Sequence, residues 1–337
     1  MKKQLFRLIA LLLALVTVLS FASCDITSLV HSMGIDLNGK GDPNFVPEDT
    51  TDVVMSDFAL SYRDQLSPNE IAIFDAVAAA SPGVHEFSIA IPELLELCKG
   101  RVPTQEEQDE ASAKISYWIA NALFAVWLDV PSLFWLETGN FSYTYNIEPH
   151  TDDVYRVGTV SLTVELREHC DNVDYMQTEL TAFLTGCDLE GSNDYETLRN
   201  INRSLCDRIT YEIDRHSATA YGALVERKCV CEGYAHAFQL LCQKYGITCV
   251  CVFGTGVTGD GSEGHMWNAV KLGEKWYAVD TTWNDTTESN EYFLVGRSTV
   301  SHGMKFSASH LAECTRGSSK KFALPTITSL AYDPTAR

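Results

Sequence analysis

From residue 67 the apolar side chains recur at three- and four-residue intervals, with Ile71, Phe74, Val77 and Ala78 on one helical face. They follow Ser67-Pro68-Asn69-Glu70, in which serine is an N-cap, proline fits the first helical position and glutamate closes the reciprocal cap. A helix over 68–80 is predicted. A second is expected to begin near Ile91. A third opens on the Thr104 and Glu107 capping box and carries Ile115, Trp118, Ile119, Ala122 and Leu123 inward. Asp129-Val130-Pro131 ends it, because proline disfavours helical backbone in the residue before it. The period then drops to two over 141–147 and 155–168, the mark of half-buried strands, with the polar run 148–153 as their turn. Helical spacing returns over 171–185 and again from Asp194 through Leu198, Ile201, Leu205 and Ile209. Gly191, Ser192 and Asn193 separate these two helices and supply an N-cap.

The last third of the chain sets one helix among strands. Over 232–245, Ala235, Phe238, Leu241, Cys242 and Tyr245 share a face, and Gly246 stands where a C-terminal cap belongs. The apolar run 247–253 reads as a strand, whereas 254–264 carries five glycines and is expected to form a loop at the mouth of a site. Residues 265–272 and 275–280 read as a hairpin around Gly273-Glu274. A two-residue turn sets Leu272 opposite Lys275 and Trp267 opposite Asp280. His265 then lies on the same sheet face at the diagonal, roughly 7 to 8 Å from Asp280 between backbones. A slip of one residue would turn Asp280 to the other face.

The first residues change the picture of where the chain works. Lys2, Lys3 and Arg7 precede an apolar stretch from Leu8 to Leu19, which is followed by the small residues Ala22 and Ser23. Such a run is shorter than the roughly 20 apolar residues of a spanning helix and reads as a secretory signal over 1–23. Phe21-Ala22-Ser23-Cys24 resembles a bacterial lipobox, with Phe21 in place of the usual leucine, so lipidation of Cys24 and anchoring to the outer face of the cell membrane are expected, with plain secretion as the alternative. Residues 24–55, rich in Gly, Asp, Asn, Pro and Thr, read as a tether. Beyond it, 56–170 reads as an accessory α+β domain, 171–300 as the domain that carries the chemistry, and 301–337 as a C-terminal extension.

The 337 residues, 45% of them hydrophobic, are enough for two modest cores. Removing the leader leaves 22 Lys and Arg against 45 Asp and Glu, a formal charge of −23. A surface of that sign is repelled by nucleic acid, which is not expected as a partner. Of the eleven cysteines, setting aside Cys24 and Cys231 leaves an odd number, so at least one further thiol is free unless it pairs between chains. Cys249 and Cys251 share a strand face and read as small buried thiols.

Candidate chemistry centres on Cys231, at the start of Cys231-Glu232-Gly233-Tyr234-Ala235-His236, followed downstream by His265-Met266-Trp267-Asn268 and Asp280-Thr281-Thr282-Trp283. A thiol at a helix N-terminus meets unpaired N–H groups and the positive end of the helix dipole, which favour negative charge on sulfur and on an oxyanion. His265 would take the thiol proton and later protonate a leaving amine, and Asp280 would fix the ring's tautomer and orientation. Trp267, Trp283 and Tyr234 are candidates to bind substrate or shield the site. Singly, a buried thiol or a strand-end carboxylate needs no catalysis to explain it, but the three together do. The crowd of Cys229, Cys231, His236, Cys242, Cys249 and Cys251 lacks the spacing of common zinc motifs, so neither a metal nor another cofactor is expected. His236 reads as an exposed helix residue, and Cys229 as structural.

The stretches Tyr221-Gly222-Ala223-Leu224, Val230 through Ala235, His265 through Asn268, Trp276-Tyr277 and Val279 through Asp285 resemble the transglutaminase-like superfamily, over roughly 193–296. The resemblance implies an α+β, papain-like core in which the helix carrying the nucleophile packs on an antiparallel sheet, here preceded by a helix-rich accessory domain with a strand pair. It also implies acyl transfer from a protein or peptide amide through a thioester, to a lysine amine or to water. A catalytically silent binding or scaffold protein on the same fold is the alternative.

Overall fold

The computed structural model describes residues 60–150 and 152–335, so the expected leader, Cys24 and the tether lie outside the described residues. The first helix, α1 (Pro68–Ala78), starts on the predicted capping box. The second, α2 (Gln105–Asp129), starts on Thr104 and Glu107 and stops before Val130 and Pro131. Between them, where a helix was expected near Ile91, lies strand β1 (Glu86–Lys99). Ile89 and Ile91 point inward with Ala90 exposed between them, an alternation that a helix would break. Pro92 sits where the ladder shifts register, and there Asn69 of α1 holds Glu93 through both its backbone groups at 2.9 Å. Strands β2 (Leu136–Pro149) and β3 (Val154–Leu166) form the expected antiparallel pair, and β1 joins them in the order β1-β3-β2.

From Ala122 to Val126 the second helix is buried on every side. A helix apolar all round belongs in the middle of a molecule, and α2 lies between the accessory sheet and the second sheet, so one hydrophobic core runs through both regions.

The second region begins with α3 (Val173–Gly186) and α4 (Asp194–Arg208), capped by Asn172 and Asn193. The short strands β4 (Thr210–Tyr211) and β5 (Lys228–Cys229) pair in parallel and lead into α5 (Cys231–Lys244). Gly246, with φ +70°, ends that helix as predicted. Strands β6 (Cys249–Thr258), β7 (Gly261–Leu272) and β8 (Lys275–Val279) follow, and α6 (Thr281–Thr286) closes the segment. Leu272 pairs with Lys275 and Asn268 with Val279, the expected register. The glycine-rich stretch read as a loop is instead a paired hairpin with its turn at Gly259 and Asp260. At Gly254 and Gly256 the space for a side chain is taken: a Cβ on Gly254 would lie 2.1 Å from the carbonyl oxygen of Leu311, and one on Gly256 3.2 Å from the Trp283 ring.

That carbonyl belongs to the C-terminal extension. After the small ladder of β9 (Val300–Ser301) and β10 (Met304–Lys305) and the turn α7 (Phe306–Ser309), strand β11 (His310–Ala312) adds to the edge of β6, giving a sheet in the order β11-β6-β7-β8. The chain then returns to the accessory region. Phe322 packs on Tyr62 and Phe124, and Lys320 bonds Glu70 and, through its backbone N–H, Asn121. The Tyr62 hydroxyl in turn donates to the carbonyl of Cys251 in β6 at 2.5 Å. Among the described residues no helix is long and apolar enough to cross a membrane.

Candidate active site

Three elements deliver the expected trio. Cys231 is the first residue of α5, preceded by Val230 in extended conformation, and is partly exposed. Gly233 lets that helix start lie against the preceding chain: a Cβ there would meet the Cys229 side chain and the Ser217 carbonyl oxygen, each at 2.5 Å. His265 is carried by β7 and is 2% exposed. Asp280 leaves β8 and caps α6, its Oδ1 accepting the backbone N–H of Trp283 at 3.1 Å. Its other oxygen, Oδ2, lies 2.7 Å from His265 Nε2. This leaves Nδ1 as the ring nitrogen not engaged by Asp280, and the Cys231 thiol lies close enough to His265 to help raise its pKa.

The electrostatics follow from this arrangement. Burial works against a charged His265, but the Asp280 charge and hydrogen bond, with Cys231 adding to both, raise its pKa to about 10. Burial likewise works against an ionised Asp280, yet His265 and then His310 hold it well below the usual carboxylate range. Both shifts act in the same direction, favouring imidazolium on His265 and carboxylate on Asp280.

His310 was not anticipated. Its Nε2 lies 3.0 Å from the same Asp280 Oδ2, and its Nδ1 lies 2.8 Å from the Ser309 hydroxyl. A lone histidine in a three-residue strand carries no motif, and only the pairing of β11 with β6 brings it to the site. His265, Asp280 and His310 are also the trio among the described residues whose ligand atoms, within 4.8 Å of one another, could hold a metal ion. Their spacings of 2.7 and 3.0 Å are those of hydrogen bonds, both of which a metal would replace.

Trp283 and Trp267 stack against the His265 ring with centroids 5.2 and 5.9 Å away, and Trp267 also meets His310 edge-on at 5.0 Å. Both tryptophans wall the two imidazoles off from water. Tyr234 does not reach the mouth of the site: its ring is fully buried and its hydroxyl bonds Asp285. The aromatic nearer the surface is Tyr211, 44% exposed and stacked over Tyr234 at 6.5 Å.

On the far side of Cys231, the accessory region grips Glu232. Its Oε1 accepts the indole N–H of Trp127 at 2.8 Å and pairs with Arg167 Nη2 at 3.1 Å. His236, expected to be exposed, is 4% exposed, because α5 is covered on all sides from Gly233 to Cys242. Burial pushes its pKa down to about 4, and its Nε2 has no hydrogen-bond partner. It lines a small cavity of about 20 Å³ together with Trp127, Arg167, Thr138 and Thr219. The ten cysteines among the described residues are all free, and Cys229 is fully buried.

The family model described as transglutaminase-like superfamily matches residues 182–281, which take in all three of Cys231, His265 and Asp280. The chain is 35% identical over 123 residues to a kyphoscoliosis peptidase of Mus musculus, and 34% identical over 123 residues to that of Homo sapiens. Each match takes in 31% of this chain and 19% of the relative, so the chain spans about a fifth of the length of these curated relatives. A crystal structure described as that of a TGase is similar at 14% identity and a TM-score of 0.27, over 56% of this chain and 50% of its own.

Proposed function

We propose, from a core at residues 182–281 that belongs to the transglutaminase-like superfamily, that the chain is a cysteine-nucleophile acyl-transfer enzyme acting on protein or peptide amides. The Cys231 thiolate attacks the amide carbonyl, and the oxyanion forms beside the N–H groups of the first turn of α5. His265 gives its proton to the departing nitrogen as the C–N bond breaks, leaving a thioester on sulfur. An amine or water then attacks that thioester, returns a proton to His265 and frees the thiolate. Asp280 keeps the ring oriented throughout. The site does not decide between amine and water, so cross-linking, deamidation and peptide hydrolysis share this scheme to the thioester. The leader and Cys24 support a place for this chemistry on the outer face of the membrane, held by a lipid.

One observation carries the reading: residues far apart in sequence converge on His265, with Asp280 at 2.7 Å on one nitrogen and the Cys231 thiol close enough to help raise the ring's pKa. The test is covalent trapping. Incubation with a glutamine-containing peptide or an electrophilic amide mimic, followed by intact mass and peptide mapping, should give one adduct, on Cys231. The adduct should vanish in Cys231→Ala and slow sharply in His265→Ala. An unmodified Cys231 under conditions that label the other thiols would leave the fold with a binding role instead.

A further inference from the structure

Asp280 Oδ2 has two imidazole donors where the proposed chemistry uses one. We propose that His310, delivered by β11 from beyond the family-matched segment, is a positioning residue: a neutral imidazole whose Nε2–H holds Asp280 in place and limits how tightly that carboxylate binds the His265 imidazolium.

The geometry supports each part. Asp280 is 0% exposed and accepts three hydrogen bonds, from the Trp283 backbone, His265 and His310 at 3.1, 2.7 and 3.0 Å, so its plane is fixed from three directions. Removing His310 leaves Asp280 Oδ2 with His265 as its one hydrogen-bond partner and takes away one of the three directions that fix the carboxylate. The tautomer is set by Asp280, whose carboxylate can only accept and so takes the proton on Nε2; on the other side Nδ1 lies 2.8 Å from the Ser309 hydroxyl, whose single proton is shared between Nδ1 and the Phe306 carbonyl at 3.2 Å. The His310 ring is clamped face to face against Phe306 at 3.9 Å and is walled by Trp267 and Trp283, so it cannot swing away.

The titratable groups facing His310 are Asp280, His265 at a ring separation of 5.7 Å and Tyr292 at 5.8 Å. A second cation beside imidazolium His265 would share one carboxylate in a buried space. Burial first, and the charge of His265 with it, push the His310 pKa down against the pull of Asp280. A neutral donor adds positive potential without adding charge. It stabilises ionised Asp280 and weakens that group's hold on His265, leaving the His265 proton more readily transferred.

This inference rests on the proposed acyl transfer only for its kinetic readout. His310→Phe keeps the aromatic stack and removes the donor, and His310→Gln keeps a donor. Relative to wild type, His310→Phe should lower kcat at least about tenfold with KM little changed, as expected for a misplaced functional group. It should also move the alkaline limb of the rate profile upward, because Asp280 then holds His265 alone, and His310→Gln should restore most of both. A His310→Phe enzyme with wild-type kcat and an unmoved limb would overturn the proposal. Histidine ¹⁵N NMR reads the same inference without turnover: His310 should be neutral with its proton on Nε2 at pH 7. A cationic His310, or saturable Zn²⁺ binding by wild type that His310→Gln abolishes, would overturn it. If wild type forms no acyl adduct while NMR finds the expected tautomer, the enzyme reading fails and the positioning role stands.

Discussion

The indole N–H of Trp127 reaches the carboxylate of Glu232 at 2.8 Å, so a helix of the accessory region holds the residue that follows Cys231. Arg167, at the end of the accessory sheet, pairs with the same carboxylate at 3.1 Å and with Glu137 at 3.7 Å. Glu232→Gln removes the nearer of its two anions. A cost of about 1–3 kcal/mol is expected, at the lower end of what a broken buried pair produces because these side chains keep some solvent. Denaturant midpoints measure it, and the alkylation rate of Cys231 should fall in the same variant if the grip also orients the start of α5. Unchanged stability and unchanged labelling would show that the contact does neither.

Asp280→Asn should leave the fold and lower the acyl-transfer rate by about 10³- to 10⁴-fold, the scale seen when a triad histidine loses its carboxylate. The sign of the pH effect follows from the charges. His265 is raised to about 10 by the Asp280 charge against its burial. Activity that needs the imidazolium is therefore present below that value and lost above it, and in Asp280→Asn the alkaline limb should move to lower pH. A limb that stays put in stopped-flow or steady-state profiles would break the link between the two residues.

Buried His236 supplies an acid-sensitive element. Its pKa is pushed down to about 4 by burial, whereas in the unfolded chain it is about 6.5. Between those values the unfolded state binds the extra proton, so this contribution to stability is present above pH 6.5 and is lost as pH falls toward 4. The loss should be on the order of 2–3 kcal/mol and should be smaller in His236→Gln, as read from urea midpoints between pH 4 and 7. Parallel curves for the two proteins would assign the acid sensitivity elsewhere.

Gly254→Ala should loosen the edge of the core sheet. The added Cβ would lie 2.1 Å from the Leu311 carbonyl oxygen and 2.9 Å from the Ala312 Cα, both backbone atoms that cannot swing aside. A destabilisation of about 1–3 kcal/mol is expected from such overpacking, with faster hydrogen exchange over 310–314. Exchange at wild-type rates there would mean that the strand accommodates the methyl group.

Cys24 should take up a fatty-acid analogue in metabolic labelling in a bacterial host, with the label lost in Cys24→Ser. A labelled Cys24→Ser protein, or an unlabelled wild type found in the medium, would favour plain secretion.

Much of this arrangement was written locally. Ser67 and Thr104 announce their helices because a cap needs only the next three residues. The 265–280 hairpin could be registered because a two-residue turn leaves no freedom in which residues face each other. What stayed hidden depends on contacts from elsewhere. Leu94, Leu95 and Leu97 suit a helix, but β3 pairs with the segment and makes it a strand. Gly254 and Gly256 look like loop residues until β11 and Trp283 are laid against them. The spacing of 232–245 shows one apolar face and so puts His236 in solvent, but Trp127 of α2 covers the other face.

Because β11 follows β6, β7 and β8 in the chain, a ribosome releases Cys231, His265 and Asp280 before the strand that completes their sheet. Until residues 310–312 emerge, the edge of β6 at Gly254 to Gly256 is open to pairing with other chains, a hazard for any nascent sheet. Docking of residues 310–312 closes that edge and brings the second donor to Asp280 in a single event.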